Sequence, residues 1–245
     1  MSLGFEPLGS GVRLTLQERT YQAIKDALLN GELTAGKSVT IREIAQTVGT
    51  SPTPVREAIR RLLSDGGFEL LPNGTIRVRH MTEEQRQHSR EVRTLLEGIA
   101  ARRAALYADP DEVDALERVN EEFKAAIARS DVKRICQKNL EFHFRLYQAA
   151  RSSVLIEIIE RLWVQNAPFL TLFVKELLER HSNRAIKLLT AHHDEIIAAL
   201  RARDEARSER ALHEDLSQTF DDKQSELLVP PRRADGRRLR LQRKA

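Results

Sequence analysis

Between residues 16 and 80 the apolar positions come in short helical groups separated by hard stops. Leu16, Ile24, Ala27 and Leu28 recur at helical spacing behind Thr15 and Glu18, a T-x-x-E capping box, until Asn30-Gly31 ends the run. Thr40 and Glu43 repeat that device ahead of IREIAQTV, which Gly49 closes. In GTSPTPVREAIRRLL, residues 49–63, Val55, Ile59, Leu62 and Leu63 take one face of a helix expected from about Thr53 to Ser64. After Asp65-Gly66-Gly67, FELLP and TIRVRH read as short strands joined at Asn73-Gly74, a tight hairpin whose two central residues both need positive φ. The order is helix, helix, turn, helix, hairpin.

From Thr82 onward every signal is helical. Thr82 and Gln85 form another capping box, and that helix is expected to reach about Tyr107. Pro110 opens a second helix and Ser130-Asp131 a third that ends near ARSS, followed by helices at roughly 153–179, 184–202 and 205–227. Gly98 is the one glycine in this stretch and lies inside a helix. The predicted fold is mainly α: a winged helix-turn-helix over 13–80 and an all-α antiparallel bundle over 81–228. Residues 1–12 and the tail 229–245, with its Pro-Pro pair and many arginines, are expected to be disordered.

Composition narrows the class. A hydrophobic share of 41% and a charged share of 31% over 245 residues describe a soluble globular chain. No apolar run approaches the roughly 20 residues that span a bilayer, and MSLGFEPLGSG lacks a signal-peptide pattern, so no membrane partner is expected. A single cysteine, Cys136, reads as a small buried hydrophobe and points to a reducing cytoplasm. The net charge of +4 is unevenly spread: the final VPPRRADGRRLRLQRKA carries seven Lys or Arg against one Asp, while residues 81–228 are slightly acidic. That pattern suggests a polyanion contact confined to part of the molecule.

The proline-rich helix start carries the chemistry. With Thr53 as N-cap and Pro54 at the first helical position, the hydroxyls of Ser51 and Thr53 and the free amides point ahead of the helix, where a phosphate is the natural occupant. Arg56 and Arg60 lie one turn apart, away from the apolar face. An amphipathic helix with solvated arginines is the plainer reading of that stretch alone. The tightly spaced trio with an Asn-Gly wing behind it favours presentation to a DNA groove.

IREIAQTVGTSPTPVREAIRRLLSDG resembles the winged helix-turn-helix of the GntR family of bacterial transcription regulators, with "VREA…RL…G" its most specific part. VRTLLEGIAARRAA, NLEFHFRLYQAA and HHDEIIAALRARD resemble the FadR-type branch with its FCD effector domain, and the likeness runs from about 15 to 227. It implies DNA contact by Arg42, Ser51, Thr53, Arg56, Arg60 and the wing at Asn73 and Gly74. Many relatives carry Arg where this chain has Pro52, a departure that bears on base reading.

In the body, Asn139 and His143 share a helical face with Ile135, Phe142, Leu146 and Ala150, so two polar groups aim inward and each needs a partner. A satisfied core pair and a metal or effector pocket are both open on that basis. FCD resemblance implies a metal held by an Asp and a His on one helix and two later histidines; here Asn139, His143, His193 and Asp215 stand at those positions. Periodicity leaves His192 beside His193, and His213 beside Asp215, as alternatives. Such nitrogen and oxygen ligands suit Zn²⁺, Ni²⁺ or Mn²⁺. The resemblance also places Arg93 where relatives pair an organic acid, against a plain surface ion pair with Glu97. Trp163, Phe169 and Phe173 read as core or dimer packing.

The leading expectation is therefore a ligand-responsive, homodimeric regulator, a repressor binding a palindromic double-stranded operator and answering a small organic acid. It is not expected to be an enzyme. Alternatives are a metal-dependent helical enzyme around His143 and His193, for which no H-E-x-x-H or Gly-rich phosphate loop exists, and a winged adaptor that binds protein.

Overall fold

A computed structural model describes residues 14–218, with 180–189 and 218 described by backbone alone. The expected N-terminal arm 1–12, the end of the last helix and the basic tail 229–245 lie outside the described residues.

The front segment runs α1 (Leu16–Leu29), β1 (Ser38–Val39), α2 (Ile41–Val48), α3 (Pro52–Ser64), β2 (Phe68–Leu70) and β3 (Ile76–Val78). Thr40 and Glu43 make a complete reciprocal capping box on α2, and Gly49 ends it at φ 74°. At α1 only half of the box forms: Thr15 accepts from Glu18 N at 3.2 Å, while the Glu18 carboxylate takes Arg61 at 2.8 Å instead. Tertiary pairing with α3 wins over the local cap.

Two expectations are corrected here. Helix α3 starts at Pro52 with Ser51 as N-cap, not at Thr53. Both prolines fit because the first turn leaves its N–H groups without intrahelical partners. In the hairpin only Gly74 has positive φ, at 80°, and Asn73 does not. The reason is loop length: Leu70 pairs with Ile76, so five residues form the wing tip, closed by Gly74 N–H to Leu71 O at 2.8 Å. The strand β1 has only two residues, too few for periodicity to detect, and completes an antiparallel sheet of order β1-β3-β2.

The body comprises α4 (Glu83–Tyr107), α5 (Pro110–Ala128), α6 (Val132–Ala149), α7 (Ser153–Arg201) and α8 (Glu205–Gln218). The pattern predicts two helices over 153–179 and 184–202; the structure has the single 49-residue α7. Ser182-Asn183 resembles a helix start in sequence, but with no Gly or Pro nearby nothing stops the helix from propagating. Helix α8 returns antiparallel to α4. Ser208 Oγ donates to Ala101 O at 3.0 Å and Arg203 reaches Leu106 O at 2.8 Å. Gly98, Ala101 and Ala105 form the small-residue strip that permits this approach, and a Cβ on Gly98 would lie 2.3 Å from His213 Nε2.

One hydrophobic core runs from the winged segment into the body, joining Ile24, Leu28, Val55, Leu62 and Val78 to Tyr147, Trp163 and Val164. The junction is the N-terminal part of α7, residues 160–171. Gln165 donates to Asp65 O at 3.0 Å, Lys25 pairs with Glu160 at 2.9 Å, and Phe169 meets the His80 ring. Phe173 belongs to a second cluster with Phe123, Ile135 and Cys136. Cys136 is buried beside Thr171, and burial pushes its thiol pKa up to about 11, so it is the inert hydrophobe expected.

Candidate functional site

The exposed end of α3 gathers the first group. Ser51, Thr53 and Arg56 are solvent-exposed around the N-terminal turn, Arg42 is exposed on the first turn of α2, and Asn73 and Gly74 are exposed at the wing tip. Nothing lies within 4 Å of a Cβ placed on Gly74, so a flat surface could approach the wing closely. The Ser51 side chain makes no cap hydrogen bond, and with Pro52 and Pro54 lacking N–H groups it is the Ser51 hydroxyl and the Thr53 amide that are left available to an anion. Arg60 differs. It pairs with Glu57 at 2.8 Å and lines a cleft of about 530 Å³ that also touches Glu157, Glu160 and Arg161 of α7.

The second group lies where α4, α6, α7 and α8 converge. His143 from α6, His193 from α7 and Asp215 from α8 offer atoms that all lie within 4.8 Å of one another. His143 Nε2 is 3.3 Å from Asp215 Oδ2, and His193 Nε2 is 3.8 Å from Asp215 Oδ1. Bonds of about 2.0–2.2 Å to a shared ion would set ligand atoms at comparable separations. His193 is fully buried, stacked on Phe142 at 3.9 Å and in tilted contact with Phe123 at 4.9 Å, and its Nε2 has no hydrogen-bond partner. Burial drives the His193 pKa down to about 3, overriding the opposing charge of Asp215, so the ring is neutral and its nitrogen is a competent ligand. Burial alone would raise the Asp215 carboxyl, but the hydrogen bond from His143 and the nearby imidazoles hold it below the usual carboxylate range.

Asn139 lines the same small cavity, of about 20 Å³, together with Arg93, His143, Trp163, Asn166 and Asp215. The structure thus brings Asn139, His143, His193 and Asp215 to one place and sends the two alternatives elsewhere: His213 lies against Gly98 and His192 faces Glu214 at 3.6 Å. Arg93 is not on the surface. It is buried, bonded through Nε to Glu97 at 2.6 Å and stacked 4.9 Å from the Trp163 ring. Trp163 is therefore a cavity wall as well as core, and its indole N–H is buried with no partner among the described residues.

Sequence reasoning missed the residues behind the histidines. Tyr147 donates to Glu97 Oε2 and stands 3.0 Å from His143 Nδ1. Asn120 Oδ1 lies 3.2 Å from His193 Nδ1, while Asn120 Nδ2 donates to Asp194 at 2.6 Å. The spacing of Tyr147 four residues beyond His143 was a usable signal; Asn120 becomes visible only once α5 and α7 are packed.

A winged helix-turn-helix seated on an antiparallel bundle with a buried His/Asp cavity defines a class of bacterial regulator, and comparison with known proteins agrees. Residues 16–78 match the model of the bacterial regulatory proteins, gntR family, and residues 88–218 match the FCD domain. The chain belongs to the GntR family of transcription regulators, with a GntR helix-turn-helix followed by an FCD domain. It is similar to the HTH-type transcriptional regulator McbR of Escherichia coli K12, 28% identical over 85% of this chain and 92% of that protein. It is also 29% identical to the probable D-xylose utilization operon transcriptional repressor of Paenarthrobacter nicotinovorans, over 82% of this chain and 85% of the relative. Among solved structures, E. coli McbR/YncC superposes with a TM-score of 0.76 at 26% identity, covering 84% of this chain and 96% of that one. These are DNA-binding regulators, which sets aside the reading as an enzyme. No helix among the described residues is long and apolar enough to cross a membrane.

Proposed function

We propose that this regulator is a cytoplasmic homodimeric repressor whose helical domain holds one divalent metal on His143, His193 and Asp215, with the Asn139 side-chain oxygen at the edge of the site. The observation that carries the metal reading is the buried convergence of two imidazole nitrogens on one carboxylate, with His193 Nε2 left without a partner. Two imidazole nitrogens converging on one buried carboxylate, one of them without a partner, suit a cation that would replace the His143–Asp215 hydrogen bond. Zn²⁺, Ni²⁺ and Mn²⁺ all accept such a set, and the ion would supply a positive centre for an anionic ligand.

A small organic acid is the matching effector, because Arg93 lines the same cavity. The cavity of about 20 Å³ has room for a water-sized guest and not for a metabolite, so an acid must part the helices around it. Trp163, Asn166, Ala167 and Leu170 of α7 line that cavity, while Val164, Gln165 and Phe169 of the same turns touch the winged segment. Parting would therefore move the helix on which the winged segment sits.

A second copy of the chain fits the outer face of α4. Val92, Leu95 and Ile99 are exposed there at the three- and four-residue spacing of a helix seam, Leu95 at 66%, with Leu106 exposed seven residues further on. Two copies joined so would offer paired recognition helices to a palindrome, through Arg42, Ser51, Thr53 and Arg56 with the wings at Asn73 and Gly74.

Gel-shift titration of a fragment from the chain's own promoter region, at fixed salt, tests this reading. Metal-loaded protein with small carboxylates should change its DNA affinity, and His143→Ala should abolish the change while sparing DNA binding. Identical responses in both proteins would contradict it.

A further inference from the structure

We propose that Trp163 is a specificity-determining residue of the cavity: its indole N–H donates to a second oxygen of the bound acid. An acid with an acceptor beside its carboxylate is then favoured over one without. The inference rests on the reading of the cavity as the site of a small organic acid, and adds what that acid must carry.

The donors bordering the cavity divide into committed and uncommitted. Arg93 directs Nε and one terminal nitrogen at Glu97. Asn166 spends both amide hydrogens, on Ser89 Oγ at 2.8 Å and on Leu162 O at 2.6 Å. Trp163 is different. It is 3% exposed, and its Nε1 has no acceptor within hydrogen-bond reach among the described residues. Nor is the ring free to swing toward one, because neighbours from α4 and α6 crowd it. The Arg93 guanidinium stands 4.9 Å from the indole, with the His143 ring at 5.3 Å and the Phe144 ring at 5.6 Å. A buried donor without an acceptor is both costly and rare in a native fold. One that borders a cavity gains its partner when a guest brings an oxygen there.

The chemistry of the indole sets what the guest can be. An indole has a single N–H, donates only and cannot hold a cation. The charge of an acid is drawn to the Arg93 guanidinium and the proposed ion, while the neutral N–H of Trp163 reads whether a further acceptor is present. A methylene or an ammonium in that place would leave the N–H unmatched, which is how a site built to hydrogen-bond rejects an analogue lacking the group. Trp163 also belongs to the stretch of α7 that holds the winged segment. Glu160 pairs with Lys25, Val164 packs where Gly67 lacks a Cβ, and Gln165 donates to Asp65 O. A guest seated on Trp163 therefore bears directly on the contact with the DNA-binding segment.

Trp163 is the one tryptophan of the chain, so full-length ¹⁵N-labelled protein has a single indole N–H resonance. Pyruvate and propionate are matched probes, alike in size and charge and differing by one carbonyl oxygen. With Zn²⁺ supplied, pyruvate should move the indole proton downfield and propionate should leave it nearly in place. Titration calorimetry should show pyruvate binding more tightly, and Trp163→Phe, which keeps an aromatic ring beside Arg93, should cut that preference about threefold to tenfold. The affinity for propionate should barely change, an outcome that a mere packing role for Trp163 does not predict. L-Alanine, with an ammonium in place of the carbonyl, should bind more weakly than pyruvate. Pyruvate that binds without moving the indole proton would overturn the proposal, as would an undiminished preference in Trp163→Phe. Equal shifts with both acids would put the carboxylate itself on Trp163 and reject the second oxygen. The wild-type spectra decide these points even if the variant does not fold. No heat from either acid would contradict the acid reading and take this inference with it, whereas heat from both with an unmoved indole proton rejects the role of Trp163 alone.

Discussion

Gly31 of the winged segment meets Thr171 of α7 so closely that a Cβ on the glycine would lie 1.6 Å from the threonine Oγ1. Gly31 also has φ +71°, a region that disfavours L side chains. The contact joins the DNA-binding segment to the helix that walls the His143/Asp215 cavity, and its closeness depends on one missing methyl group. Gly31→Ala should therefore lower stability by about 2–4 kcal/mol, combining overpacking with left-handed strain. Denaturant unfolding checks this. Adding Thr171→Ala should restore part of the loss, since it removes the clashing oxygen; no recovery would mean that the strain is purely backbone.

Arg56 and Arg60 lie one turn apart on α3 but differ in their surroundings. Arg56 is exposed, whereas Arg60 is engaged with Glu57 beside the cleft toward α7. Arg56→Ala should weaken operator binding by about 1–3 kcal/mol if it reads a base. Arg60→Ala should cost clearly less in the same gel-shift series. Comparable losses would place Arg60 on the DNA as well. Binding should also fall steeply with salt, which a winged protein-binding adaptor would not show.

Leu95 is the most exposed of the α4 apolar residues, and a carboxylate there would face its own symmetry mate across a dimer seam. Leu95→Asp should convert a dimer to a monomer in sedimentation velocity, with little change in the melting of the isolated fold. A variant that stays dimeric would remove α4 from the interface.

Much of this architecture could be read in the chain, and the exceptions have physical causes. The Thr40–Glu43 and Thr82–Gln85 boxes form as the local sequence demands, because both partners are close in sequence and exposed to solvent. The Thr15–Glu18 box fails in half because Arg61, far along the chain, competes for the same carboxylate. The continuation of α7 through Ser182-Asn183 is legible in the lack of any nearby Gly or Pro, a signal outweighed by the helix-start look of that pair. At the cavity, helical periodicity aimed His143 and Asn139 inward, and the family resemblance chose His193 and Asp215 over their neighbours. The burial of Arg93 and the support from Asn120 arise only from helix packing across α4, α5 and α7.

His143→Ala and His193→Ala should each keep the fold but lower its stability by about 1–3 kcal/mol, since each removes a buried ring that is hydrogen-bonded, to Tyr147 and to Asn120 respectively. Both should lose metal retention together, because a three-ligand set that drops one donor binds far more weakly. A single variant that retained full metal would exclude that histidine from the ligand set.

The most direct measurement is elemental analysis of full-length protein purified without a histidine tag. The account predicts close to one divalent ion per chain in the wild type and almost none in His143→Ala. Less than half an ion per wild-type chain after growth and purification with Zn²⁺, Ni²⁺ and Mn²⁺ supplied would contradict it.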